Sequence, residues 1–140
     1  MLKKQEKAAL IEGALSARRL SYSPYSHYMV GAALLTADGT IYRGSNIENA
    51  SYGVCNCAER TAIFKAVSEG NREFIAIAIA GGMEGQEPMD YAFPCGICRQ
   101  VMQEFCGADF RVIVAKSRED YKEFTLAELL PYGFGGESIQ

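Results

Sequence analysis

The segment Phe74-Ile75-Ala76-Ile77-Ala78-Ile79-Ala80 restricts the fold more than any other part of the chain. Isoleucine and alanine alternate with the period of an extended strand, so both faces would be apolar. Such a strand sits inside a sheet that is covered on both sides, and its alanines let a helix lie close. Helical patterns flank it. Cys57–Glu69 sets Ala62, Ile63 and Ala66 along one face and stops at Gly70, the residue type that suits the left-handed position past a helix end. Cys95–Cys106 makes a second helix, with Gly107 beyond it. Upstream, residues 3–19 read as a helix with Ala8, Ile11 and Leu15 on one face and lysines on the other. Ser21–His27, which carries Pro24, is a loop. Met29–Leu35 and Ile41–Gly44 are apolar runs around Asp38-Gly39, a hairpin signal. Downstream come strands at Phe110–Ala115 and Tyr121–Thr125 and a short helix at Leu126–Leu130. The connection between those strands, roughly five residues, is too short for a parallel crossover, so they pair antiparallel. The order α-β-β-α-β-α-β-β predicts an α/β fold, a three-layer α/β/α sandwich with a five-stranded mixed sheet, formed by residues 1–140 as a single domain.

Charge and cysteine content narrow the function. A formal net charge of −3 provides no basic field for a phosphate backbone, so a nucleic-acid partner is not expected. No run of about 18 apolar residues appears, and the N-terminus lacks an apolar signal core. The expectation is a cytoplasmic protein with no membrane partner. There are 5 cysteines, two of them in Cys-x-x-Cys spacing. In a reducing compartment that pattern points to metal or redox chemistry rather than a disulfide framework.

Cys57-Ala58-Glu59 and Pro94-Cys95-Gly96-Ile97-Cys98 each open a predicted helix, with the central strand between them. In such a sheet both helix starts emerge at one edge, so Cys57, Cys95 and Cys98 can converge on one metal. Helix N-termini favour the thiolate form that zinc requires. Three protein ligands with a fourth position open is the catalytic zinc pattern, and zinc makes hydroxide available near neutral pH. Three thiolates around Zn²⁺ leave a net negative charge, which Arg60, on a similar face to Cys57, is placed to offset. Glu59 is the carboxylate available to take a proton from water and return it to a leaving nitrogen. Two other readings compete. A Cys-x-x-Cys at a helix start also resembles a redox dithiol, which leaves Cys57 and Glu59 without roles. A closed structural site needs a fourth ligand, for which Cys55 is the nearby candidate. Cys106 reads as a core residue, His27 as a solvated loop residue, and Gly81, Gly82 and Gly85 as plain loop.

Cys-Ala-Glu followed by Pro-Cys-x-x-Cys is the zinc deaminase signature in its three-cysteine form. Around it, Tyr22-Ser23-Pro24-Tyr25-Ser26, Val30–Leu35, Asn46-Ile47-Glu48-Asn49-Ala50, Cys57–Ala62, Pro94–Gln100, Glu128–Pro131 and Phe134-Gly135 run in the order of the small cytidine deaminases. The chain resembles that family from about residue 20 to 135. The resemblance implies hydrolysis of cytidine or deoxycytidine in pyrimidine salvage, with one Zn²⁺ per chain on Cys57, Cys95 and Cys98 and proton transfer by Glu59. It further implies that Asn46 and Glu48 hold the ribose 3′-hydroxyl. Ala58 belongs to the implied substrate site, and Tyr28, where the family usually has Phe, to the wall of the base pocket. A homotetramer with shared sites is implied too, Phe134 completing a neighbour's base wall and Ala50 and Tyr52 lying near a 5′-hydroxyl. The tail agrees with this, because Tyr132 and Phe134 are large rings on a glycine- and serine-containing segment that gains by packing on a partner. Alternatives are a deaminase of another aminopyrimidine nucleoside or nucleoside antibiotic, and a non-catalytic zinc or thiol module.

Overall fold

The computed structural model describes residues 1–140. In chain order the elements are α1 (Lys4–Arg18), β1 (Tyr28–Thr36), β2 (Ile41–Ser45), α2 (Ala58–Ser68), β3 (Phe74–Met83), α3 (Gly96–Phe105), β4 (Arg111–Ala115), β5 (Tyr121–Thr125) and α4 (Leu126–Leu129). Short 3-10 turns occur at Tyr52–Val54 and Gly136–Ser138. The sheet has five strands in the order β2-β1-β3-β4-β5, which puts the Ile/Ala strand at its centre. β3 and β4 are parallel and joined through α3; every other neighbouring pair is antiparallel.

Alternate residues of the strands feed two cores. One face of the sheet packs Ala32, Leu34, Ile77, Ile79 and Val112 against Ala58, Ala62, Ile63 and Ala66 of α2, Met102 of α3 and Leu126 of α4. The opposite face packs Ala33, Leu35, Ala76, Ala78, Ala80 and Ile113 against Leu10, Ile11 and Ala14 of α1. Each fully buried leucine or isoleucine contributes about 1.5–3 kcal/mol. The three-layer expectation therefore holds, with mostly large strand side chains under α2 and α3 and mostly alanines under α1.

One helix face and several element ends differ from the sequence reading. The buried face of α1 is Leu10, Ile11, Ala14, Ala17 and Arg18, with Ala8 and Leu15 only half-buried on its flank. The cause is Gly31, where a β-carbon would lie 2.0 Å from Ala14 O and 2.3 Å from Arg18 N, so the helix backbone itself rests on β1. β3 runs on through Gly81 and Gly82 to Met83, because β1 begins at Tyr28 and offers partners that far. Cys57 and Cys95 stand just outside α2 and α3 as their N-cap residues. At the hairpin, Gly39 takes the left-handed conformation at φ 90°, and Asp38 Oδ1 accepts from Thr36 Oγ1 at 2.6 Å and Thr40 N at 3.1 Å.

Candidate active site

The antiparallel β1/β3 pair and the parallel β3/β4 pair fix where chemistry can be built. α2 delivers the chain to β3, and β3 returns it to the start of α3, so the N-termini of both helices meet at the C-terminal edge of the central strand. Cys57 and Cys95 have extended backbone at their N-cap positions, and neither sulfur accepts a capping hydrogen bond. Their side chains are thereby left free for each other. The Sγ atoms of Cys57, Cys95 and Cys98 all lie within 4.8 Å of one another, with Cys57 and Cys95 at 3.8 Å. Zn–S bonds of about 2.3 Å at a tetrahedral angle put sulfurs about 3.8 Å apart, so the donor set and its spacing fit zinc.

Charge around the sulfurs agrees. Arg60 Nη2 donates to Cys57 Sγ at 3.2 Å, and Arg60 Nε is buried with no partner. The Cys57 thiol is held down to about 5 by the hydrogen bond from Cys98, with Arg60 adding to it. The same Cys57–Cys98 bond, together with burial, raises Cys98, so Cys57 ionises first. Cys55 stands apart: its Sγ accepts from Asn49 N at 3.2 Å and is not in the three-sulfur group. Cys106, at the end of α3, is half-buried and pushed up to about 12 by burial.

Glu59 is only 4% exposed, and burial pushes its carboxyl up to about 7, with the Cys57 charge adding to the rise. It opens onto a cavity of about 700 Å³, a volume in the range of small-molecule sites. Cys57, Ala58, Glu59, Arg60 and Cys95 line one end, and Tyr28, Asn46, Glu48 and Tyr52 line the rest together with further residues. Ala50 and Phe134, both exposed, do not line it; the Phe134 carbonyl instead accepts from Gln100 Nε2 on α3 at 2.8 Å.

The loop residues in the cavity are held by their own neighbours. Asn46 Oδ1 accepts from Val30 N at 2.9 Å and from the Ser21 hydroxyl, while Asn46 Nδ2 donates to Tyr28 O at 2.8 Å. Glu48 accepts from Tyr25 N at 3.0 Å, Ser26 N at 3.1 Å and the Ser26 hydroxyl. Between Ser26 and Tyr28 the backbone of His27 takes a left-handed turn at φ 59°, its exposed ring 3.4 Å from Glu84 Oε2.

Val30, Ile79, Tyr91, Ala92, Phe93 and Ile97 also line the cavity, and sequence reasoning passed over them. The available signal was the pair of aromatics, Tyr91 and Phe93, immediately ahead of Pro94-Cys95. Both are tied to the β4–β5 hairpin. The Tyr91 hydroxyl bonds Asp120, Lys116 and Lys122 sit 4.6 and 4.9 Å from its ring centroid, and Phe93 stacks on Phe124 at 5.5 Å.

Residues 4–116, which include all three sulfurs and Glu59, match the family described as cytidine and deoxycytidylate deaminase zinc-binding region. The chain belongs to the cytidine deaminase family. Within it, a cytidine deaminase of Halalkalibacterium halodurans is 50% identical over 96% of this chain and 98% of its own. Another, from Sporosarcina psychrophila, is 50% identical over 93% of this chain and 92% of its own. The crystal structure of a cytidine deaminase from Burkholderia pseudomallei superposes with a TM-score of 0.82 at 48% identity, covering 90% of this chain and 97% of that one. The family's domain is zinc-binding, and the three-cysteine cluster is positioned to hold such an ion.

Proposed function

We propose that this chain hydrolyses cytidine and deoxycytidine to uridine and deoxyuridine with release of ammonia, as a single catalytic domain in cytoplasmic pyrimidine salvage. The observation that carries the reading is a buried carboxyl poised near neutrality, Glu59, beside a three-sulfur cluster in a nucleoside-sized cavity. Zinc, when bound, supplies the Lewis acidity that makes water a nucleophile near neutral pH. The chain supplies the rest. Glu59 accepts a proton from the attacking water and passes it to ring N3, then carries the remaining proton from the new C4 hydroxyl to the amino group, so that the C4–N bond breaks, ammonia leaves and the C4 carbonyl forms. A carboxyl with a pKa near 7 is suited to both directions of transfer. Arg60 offsets the thiolate charge through Cys57. Tyr28 and Ala58 contact the base.

Asn46 and Glu48 hold the ribose. The hydrogen bonds that each makes leave one Nδ2 hydrogen of Asn46 and part of the Glu48 acceptor capacity for a sugar hydroxyl. The assembly is a homotetramer in which Phe134 and Ala50 of one subunit approach the site of another, and Tyr52 lies near the 5′-hydroxyl. Exposed Tyr25, Tyr52 and Val54 near the cavity mouth and exposed Tyr132, Phe134 and Ile139 on the tail support such contacts.

The test combines zinc analysis with an ultraviolet assay of cytidine. One zinc per chain and steady conversion to uridine are expected, with free cytosine a far poorer substrate. Glu59→Gln keeps the zinc and loses at least ~10²–10⁴-fold in kcat. Near-normal turnover of a zinc-replete Glu59→Gln protein removes Glu59 from the mechanism.

A further inference from the structure

The end of β3 carries two consecutive glycines whose missing side chains are filled from opposite faces of the sheet. A β-carbon at Gly82 would lie 3.0 Å from both Arg18 Nη2 and Pro88 Cα. On that side Arg18, 8% exposed, donates through Nη2 to Met83 O at 3.3 Å and Gln86 O at 3.1 Å, and through Nε to Met29 O at 3.3 Å. A β-carbon at Gly81 would lie 3.1 Å from Tyr28 Oη, 3.1 Å from Tyr28 Cε2 and 3.0 Å from Ala92 Cβ. The segment after β3 therefore laps the strand end, Pro88 on one face and Ala92 on the other.

Register explains why Tyr28 reaches Gly81. Val30 pairs with Gly81 and Tyr28 with Met83, so Tyr28 and Gly81 are diagonal neighbours on one face of the antiparallel pair. That face is the floor of the cavity, where Val30 and Ile79 are the other strand residues. A ring at position 28 either lies across Gly81 or stands in the cavity, and a methyl group at 81 crowds it out of the first place. Contacts of 3.0–3.1 Å are shorter than carbon atoms accept without displacement, so the ring or Ala92 would have to move. The outermost atom involved is the Tyr28 hydroxyl.

We propose that Gly81 is a positioning residue of this active site, which sets the width available to the pyrimidine base by giving the Tyr28 ring and its hydroxyl a place to lie on β3. This rests on the assignment of Tyr28 to the base-side wall. It places no part of Gly81 in contact with the substrate. Its effect passes entirely through Tyr28, and so it is read as a coupling between the two positions.

The experiment is a double-mutant cycle on the full-length, zinc-loaded protein with cytidine: unsubstituted, Gly81→Ala, Tyr28→Leu, and both together. Gly81→Ala is expected to raise KM about fivefold or more, with kcat within about twofold and zinc content unchanged. In the Tyr28→Leu background both atoms that crowd position 81, Oη and Cε2, are gone, and the same substitution at 81 should raise KM less than about twofold over that background. The Ala92 contact is common to both backgrounds and cancels in the ratio. If Gly81→Ala alone does not fold, the double variant decides, since relief of the crowding restores it. Equal KM changes in the two backgrounds, an unchanged KM, or a double variant that also fails to fold overturns the proposal. Absence of cytidine turnover in the unsubstituted protein overturns the deaminase reading and this proposal with it, whereas turnover without coupling overturns this proposal alone.

Discussion

Cys57, Cys95 and Cys98 share one cluster but differ in access, Cys95 being exposed, Cys57 half-buried and Cys98 fully buried. Replacing any of the three with alanine should take bound zinc from one per chain to none, measured by atomic emission after dialysis. Full occupancy in Cys98→Ala would contradict the ligand set. Arg60 should reveal itself through pH. It helps to hold the Cys57 thiol at about 5, so without its charge the thiol rises and protons compete with the metal at higher pH. Arg60→Gln should therefore shift the midpoint of acid-induced zinc release upward; an unmoved midpoint would separate Arg60 from the sulfurs. These residues were readable in advance because spacing at two helix starts is a property of the string itself. Tyr91 and Phe93 were not. Their place in the cavity depends on Asp120 and Phe124, residues of a distant hairpin whose docking on this segment no local pattern shows.

Helix α1 shows where periodicity falls short. Its apolar spacing gave the helix but turned its buried face slightly off, because the docking angle is set by Gly31 on β1 rather than by α1. A β-carbon 2.0 Å from a carbonyl oxygen has no room, so Gly31→Ala should cost about 3 kcal/mol, the upper end for overpacking, in denaturant unfolding. A cost below about 1 kcal/mol would mean that α1 shifts freely on the sheet. The extension of β3 through its two glycines has the same kind of cause. Glycines read as loop unless one knows which side chains arrive to cover them. The β1–β2 hairpin, by contrast, was visible in Asp38-Gly39. The hydrogen bond from Thr36, followed by those from Thr40 and Asn71, holds the Asp38 carboxyl at about 2, below the ordinary 3.8. A depressed carboxyl contributes stability above its ordinary value and loses it as pH falls through the folded one. Asp38→Asn should thus flatten the decline of thermal stability between about pH 4 and pH 2. An equally steep decline in the variant would exclude Asp38 as its source.

The whole chain presents its aromatic residues unevenly, with exposed rings at the cavity mouth and along the tail. Light scattering should find a tetramer. Deleting residues 132–140 should raise KM or abolish turnover while zinc remains, and a truncated protein with unaltered kinetics would defeat the shared-site arrangement. Sequence reasoning reached the layers, the mixed sheet, the antiparallel last pair and the convergence of three sulfurs, which follow from local pattern and connection length. It could not reach the shape of the cavity, which depends on how two separate loops, around residues 46–57 and 91–95, close over β1 and β3. The sulfurs that meet on α2 and α3 have a further consequence. Cys57 and Cys95 lie 38 positions apart in the chain, and Cys98 is closed off from solvent. A chelator can engage the metal at its open position, yet the buried Cys98 sulfur should let go only as the two helix starts part. The clock for metal loss is then the opening of the protein, not the strength of the competitor. Release rates should level off as chelator concentration rises, at the rate of the opening that exposes the hydrogen-bonded amides of α3 from Arg99 onward.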